Sequence, residues 1–329
     1  MNRDSQAGVA PLKPGALVSV VVPAYNEAAV LQEFHRRLAA TIDQLPQDCE
    51  VIYVNDGSTD STIDIIHSLH GADPRVALVN LSRNFGKEVA LTAGLEHAKG
   101  DAVVIIDADL QDPPELIPEL VDRLQQGYDV VYATRKKRLG ETWLKKTTAT
   151  LFYRLMRNVS RVHLPSNTGD FRILSRRAVD AVIQLREHHR FMKGLFSWVG
   201  FRQTAIHYDR DPRYGGRSKW GYWQLWNFAL EGITSFTVAP LKISTYLGIV
   251  TAAGAFVYGA IIIVKTLLYG ADLQGYPSLM VVILFLGGVQ LIALGIIGEY
   301  LGRTFTETKN RPLYFVDKYL PRRSEKPVD

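Results

Sequence analysis

The chain has 329 residues, 47% of them hydrophobic, with 38 Lys and Arg against 33 Asp and Glu and a formal net charge of +5. That length holds one sizeable domain plus a second element, and the single cysteine, Cys49, excludes an internal disulfide and fits a cytosol-facing domain. The small basic excess does not point to nucleic acid, because the basic residues cluster beside long apolar stretches, where anionic headgroups and lipid phosphates are nearer partners.

Residues 1–16 have no apolar h-region and read as a flexible leader, not a signal peptide. From 17 to 135 strand and helix signals alternate. The runs LVSVVVPAY (17–25), CEVIYVND (49–56), VALVNLS (76–82), DAVVIIDAD (101–109) and YDVVYATR (128–135) are short and rich in Val and Ile. Between them lie helical stretches such as EAAVLQEFHRRLAATIDQL (27–45), apolar at three-to-four spacing. The pattern predicts an α/β fold with a mostly parallel sheet wrapped by helices, and ligands in such sheets bind beyond the carboxyl ends of the strands. The polar clusters fall there. Asn26 and Glu27 follow the first strand, Asp56-Gly57-Ser58 the second, Asp107 and Asp109 the fourth, and Arg135 the fifth.

Asp107 and Asp109 are separated by one residue in a segment too apolar for the surface, and Gln111 and Asp112 follow. Two close carboxylates repel unless a cation, a proton or a water-filled cleft relieves them. A hard cation such as Mg2+ or Mn2+ answers that need, since it takes carboxylate, carbonyl and water oxygens and accepts an incomplete protein shell when phosphate fills the rest. The competing reading is structural capping: Asp is common where strands end, and Asp112 before Pro113-Pro114 reads as an N-cap with prolines opening the next helix, which accounts for Asp112 only. On spacing alone both readings stand. In the second loop Ser61 and Asp64 have capping-box spacing, which leaves Asp56 unexplained; its carboxylate suits a base or sugar hydroxyl of a nucleotide lying over the strand ends. Neither GxxxxGK[ST] nor GxGxxG occurs, so a P-loop or dinucleotide fingerprint is excluded.

Further along, residues 141–162 place Trp143, Leu151, Phe152, Leu155 and Val159 largely on one helical face, and a juxtamembrane stretch over 220–240 places Trp223, Trp226, Leu230 and Ile233 on one stripe. Helices of this kind lie flat in a membrane interface; core-facing helices have the same pattern. No residue is charged from Ile243 to Val264 or from Leu273 to Gly298, so two transmembrane helices are predicted within 241–301, followed by a tail over 302–329. The connection Tyr269 to Tyr276 carries no Lys or Arg, whereas Lys242 precedes the first span and Arg303, Lys309, Arg311, Lys318, Arg322 and Arg323 follow the second. By the positive-inside rule the hairpin tip faces out, and the N-terminal α/β domain and both termini face the cytoplasm, with Lys265 at a helix end arguing mildly the other way.

The segments VVPAYNE, VNDGSTDST, LSRNFGKEVALTAGLEHAKGD, DADLQDPPE, TGDFRILSRRAV and RYGGRSKW follow one another before the hairpin. Jointly they resemble the family-2 glycosyltransferases that load a sugar onto a polyprenyl phosphate, the dolichol-phosphate mannose synthase group, and most closely the bacterial bactoprenol-phosphate glucosyltransferases. The resemblance runs from Val18 to the end of the second span. It implies a GT-A fold over 17–219, a nucleotide-sugar donor (UDP-glucose favoured over GDP-mannose or a modified sugar), undecaprenyl phosphate as acceptor, Mg2+ or Mn2+, and inversion at the anomeric carbon. It further implies a homo-oligomer in the inner membrane that serves cell-envelope glycosylation.

By matching position, the resemblance assigns Pro23, Tyr25, Glu27, Val54 and Asp56 to the nucleotide pocket, and Asp107, Ala108 and Asp109 to the DxD element, with Gln111 completing the metal shell. Arg213 and Lys219 occupy the R-x-x-G-x-S-K loop that closes over phosphates, and Asp170 matches a carboxylate near the acceptor. Arg135 joins Arg213 as a candidate for the lipid phosphate, since arginine suits bidentate phosphate contacts. Two other classes compete. A haloacid-dehalogenase-like phosphatase also carries DxD after an apolar strand, and a membrane-anchored nucleotide-binding partner would need no catalysis. The processive polysaccharide synthases share the fold, yet a QxxRW motif is absent.

Overall fold

The computed structural model describes residues 12–13, 15–135, 168–188, 190–208, 239–269 and 275–323. The chain divides into two compact units, Met1–Leu225 with Arg311–Asp329, and Trp226–Asn310.

In the first unit the five runs read from sequence become β1 (Leu17–Ala24), β2 (Asp48–Asn55), β3 (Val76–Leu81), β4 (Ala102–Ile105) and β5 (Val130–Arg135). Three further strands join them: β6 (Thr168–Ser175), β7 (Gln203–Tyr208) and β8 (Val316–Leu320). The helices are α1 (Leu31–Ile42), α2 (Thr62–Ala72), α3 (Lys87–His97), α4 (Ile117–Gln125), α5 (Arg176–Gln184) and α6 (Met192–Trp198). The eight strands lie in the order β7-β5-β6-β4-β1-β2-β3-β8. β4, β1, β2 and β3 are mutually parallel, as are β5 and β7, while β6 runs against β4 and β5, and β8 against β3.

Central strands covered on both faces read as continuous apolar runs, and Val18, Val20, Val21 and Val22 of β1 are wholly buried. Alternate residues serve opposite layers. Val20, Val22 and Tyr53 share a core with Leu31, Phe34 and Leu38 of α1 and Leu120 and Leu124 of α4. Val21 and Val54 face the other way, toward α3, where Gly94 leaves no room for a side chain: a Cβ there would lie 2.2 Å from Val21 Cγ1. This close approach brings the start of α3, Lys87, over the carboxyl ends of the strands.

Two expected caps are not made. No side chain caps α2 at Ser61; Asp60 instead accepts hydrogen bonds from the Thr62 backbone N–H and hydroxyl, at 3.0 and 2.6 Å. Nor does Asp112 cap a helix, since Pro113 holds that place before the 3-10 turn Pro114–Leu116. Asp112 is 1% exposed, and a carboxylate so buried takes the hydroxyl that reaches it, that of Tyr208 in β7.

The second unit contains α7 (Ala239–Tyr269) and α8 (Tyr276–Thr308), which pack on each other. Both are long and apolar enough to cross a membrane, and large side chains such as Phe256, Leu267, Leu284 and Leu291 are exposed along them. α8 runs beyond the expected end of the span at 301. The described residues after it, 309–323, return to the sheet of the first unit. β8 pairs with β3, Asp317 accepts from the Asn80 amide at 3.0 Å, and Tyr319 lies against His97 with ring centroids 4.8 Å apart. The stretches 141–162, 209–238 and 270–274 lie outside the described residues, and with them the two expected interfacial segments.

Candidate functional site

The loops after β1, β2 and β3 are tied into one rim. Asn26, at φ 54, accepts the Thr59 backbone N–H at 2.8 Å, and its own N–H reaches Ser58 Oγ at 3.0 Å. The Glu27 N–H donates to Thr62 Oγ1 at 2.9 Å. Asp56 accepts the backbone N–H groups of Phe85 and Gly86 at 2.7 and 3.0 Å, so it organises the third loop. Gly57 sits where two loops touch: its φ is +64, and a Cβ would lie 2.4 Å from backbone atoms of Arg83 and Asn84. Only glycine meets both demands.

Tyr25 is 37% exposed at the mouth of this rim, whereas Val54 is wholly buried and turned toward α3, and Ala108 is 2% exposed. Val54 and Ala108 can therefore floor a pocket but offer it little side-chain surface. Burial pushes the Asp56 carboxyl above its ordinary value, against the two backbone N–H groups and Arg83, which lower it.

Asp107 and Asp170 meet because β6 runs against β4. Ile105 pairs with Arg172, and the same register continued two residues sets Asp107 opposite Asp170. Between them stands the first residue of α3: Lys87 Nζ lies 2.7 Å from Asp107 Oδ2 and 2.5 Å from Asp170 Oδ2. Burial opposes the ammonium charge, but the two carboxylates overcome it and hold the lysine well above its ordinary value. For Asp170 the same balance lies far toward the anion: burial opposes it, and Lys87, Lys193 and Arg172 hold its carboxyl well below the usual range. Asp107 goes the other way, raised by burial and by the neighbouring Asp170 and Asp112 despite Lys87.

The donor set suits a hard cation. Gln111 is 5% exposed, and its Oε1 is buried with no hydrogen-bond partner among the described residues, an oxygen open to a ligand. Asp109 Oδ1 accepts the Gln111 N–H at 3.1 Å across Leu110, which is held at φ 57, a costly conformation for a leucine. Among the described residues no three His, Cys, Asp or Glu gather as a cage. A cation held by Asp107, Asp109 and Gln111 would thus need further oxygens from a ligand, as phosphate provides.

Residues 19–183 match the family described as "Glycosyl transferase family 2", and residues 239–304 match the "GtrB C-terminal hairpin". The chain belongs to glycosyltransferase family 2. This family-2 chain is 53% identical to an uncharacterized glycosyltransferase of Synechocystis over 92% of its length and 97% of the relative's. It is 48% identical to a prophage-derived bactoprenol glucosyl transferase of Shigella flexneri over 92% and 97% of the two chains. An uncharacterized glycosyltransferase of Bacillus subtilis is 45% identical over 91% and 93%. The chain is therefore a glycosyltransferase, and the phosphatase and non-catalytic readings give way.

Several residues that the glycosyltransferase gathers here carry no signal of their own in the sequence. Lys87 follows Gly86 at the start of a helix, where a lysine ordinarily reads as a solvated cation. Glu88 stands beside it, and burial and the nearby Asp170 push its carboxyl up to about 7. Arg172, buried in β6, donates to the carbonyls of Gly169 and Asp170 at 2.9 and 3.1 Å and lies over the Phe196 ring. Arg135 ends β5, in register with Tyr208. Arg213 and Lys219 lie outside the described residues.

Proposed function

We propose that this glycosyltransferase moves glucose from UDP-glucose to the phosphate of undecaprenyl phosphate, with inversion, at the cytoplasmic face of the inner membrane. The observation that carries the reading is Lys87 Nζ joining the carboxylate of the DxD element to that of Asp170, so that two halves of one site meet at one cation. The acceptor is supported by the bactoprenol glucosyl transferase relatives and by two helices able to hold the enzyme where a lipid phosphate lies.

In a single displacement, an oxygen of the acceptor phosphate bonds to the anomeric carbon as the bond to the nucleoside diphosphate breaks. Positive charge builds on the sugar and negative charge on the leaving group, which sets what the site must supply. A bound Mg2+ or Mn2+ supplies a Lewis acid for the diphosphate. Asp107, Asp109 and Gln111 hold it; Pro23, Tyr25, Glu27, Val54, Asp56 and Ala108 form the nucleotide side. Asp170 orients groups around the acceptor, and Arg135, Arg213 and Lys219 bind phosphates.

Purified full-length protein with Mn2+, undecaprenyl phosphate and a panel of radiolabelled nucleotide sugars tests this reading. Labelled lipid from UDP-glucose is expected. Faster transfer from GDP-mannose or a modified UDP-sugar would change the donor alone, and no lipid product from any donor would end the proposal. Asp109→Asn should slow transfer by on the order of a hundredfold or more, because a lost metal ligand removes several kcal/mol of charge stabilisation. Near-normal turnover in that variant, or full activity in excess EDTA, would remove the metal from the reaction.

A further inference from the structure

β6 joins the sheet on the far side of β4 from β1 and β2. A nucleotide held by the β1 and β2 loops therefore leaves the β6 side of the site for the second substrate. There Asp170, 9% exposed, has a different cation at each oxygen. Lys87 Nζ donates to Oδ2 at 2.5 Å, while Lys193 Nζ, from α6, stands 4.0 Å from Oδ1, and Oδ1 itself is buried and accepts no hydrogen bond from the described residues. At that distance Lys193 is held by the charge of Asp170 without donating to it, so its N–H groups remain available to an anion.

Resting on the function proposed above, we infer that Lys193 and Lys87, spaced by Asp170, form the seat of the acceptor's phosphate monoester. Two ammonium groups facing one anion repel each other when it is absent, and the shared carboxylate between them offsets that repulsion. Their spacing is built in. Lys87 opens α3 and Lys193 lies in the first turn of α6, next to Met192, whose wholly buried side chain places its Sδ 3.9 Å from the Thr92 hydroxyl of α3. Arg172 cannot turn to the ligand, because its guanidinium is committed to main-chain carbonyls and the Phe196 ring; it adds positive potential from beneath. Lysine, a compact charge with three rotatable donors, suits a tetrahedral phosphate whose ester oxygen carries a long lipid.

Steady-state transfer by the full-length enzyme in detergent, varying undecaprenyl phosphate at saturating UDP-glucose and then the reverse, separates this seat from a donor site. Lys193→Gln should raise the acceptor KM by about tenfold to a hundredfold, the range of a hydrogen bond to a charged group, with a smaller change in kcat and an unchanged donor KM. Lys193→Arg, which keeps the charge, should recover most of the loss; a merely structural lysine would show no such rescue. An unchanged acceptor KM in Lys193→Gln, or a rise in the donor KM instead, overturns the inference while leaving the transferase intact. Failure of the wild type to use any polyprenyl phosphate overturns the functional reading and this inference with it.

Discussion

Asp170 is a poor general base by its surroundings. Lys87, Lys193 and Arg172 outweigh its burial and hold its carboxyl well below the ordinary value of 3.8, so it stays ionised throughout the working pH range and gives up little by remaining an anion. The nucleophile needs little help, since a phosphate monoester with a second pKa of about 6 is mostly dianionic at neutral pH. Asp170→Asn should therefore cost at least about tenfold in rate through misplacement of the lysines, and the residual activity should keep an acidic limb set by the acceptor phosphate. Loss of that limb with acceptor binding unchanged would make Asp170 the base. The legibility of these residues differed for physical reasons. Asp107 and Asp109 stood out because carboxylates in an apolar run demand a partner, and Gln111 followed from the family resemblance. Lys87 and Lys193 did not stand out, because their neighbour Asp170 is 83 residues from Lys87 in sequence, and only the antiparallel register of β6 brings them together.

The elements show the same division. The first five strands could be read to within two residues at each end, except that β4 stops at Ile105, before the acidic turn that the run included. β6 escaped because buried Asp170 and Arg172 interrupt its apolar signature, and β8 because five residues on a sheet edge, four of them exposed, carry almost none. Gly94 of α3 was equally silent, since a glycine within a helix is ordinarily a mere weakness. Gly94 is instead the contact that sets the height of α3 above β1 and hence the position of Lys87. Gly94→Ala should destabilise the protein by about 1–3 kcal/mol through overpacking and also slow transfer. Adding Val21→Ala, which removes the methyl 2.2 Å from the new Cβ, should restore part of both in a double-mutant cycle. Strict additivity of the two substitutions in chemical denaturation would show that α3 does not rest on this contact.

At the scale of the whole molecule, the sheet constrains the hairpin. β8 follows α8 in the chain and pairs with β3, while β1 to β7 all precede α7, so both sides of the hairpin feed one folded sheet. A sheet cannot form across a bilayer, because its strands would have to thread through hydrocarbon, which supports an even number of crossings. Charge points the same way: Lys242 lies before the first span and Arg303, Lys309 and Arg311 after the second, with neither Lys nor Arg between Tyr269 and Tyr276. The helices of 31 and 33 residues exceed the roughly 20 needed to span, so their ends can reach beyond the hydrocarbon, and Arg303 pairs there with Glu299 at 3.0 Å. Reporter fusions at Leu273 and at Asp329 should accordingly report opposite compartments, with Asp329 in the cytoplasm. If both report the same compartment, the hairpin does not cross as two spans.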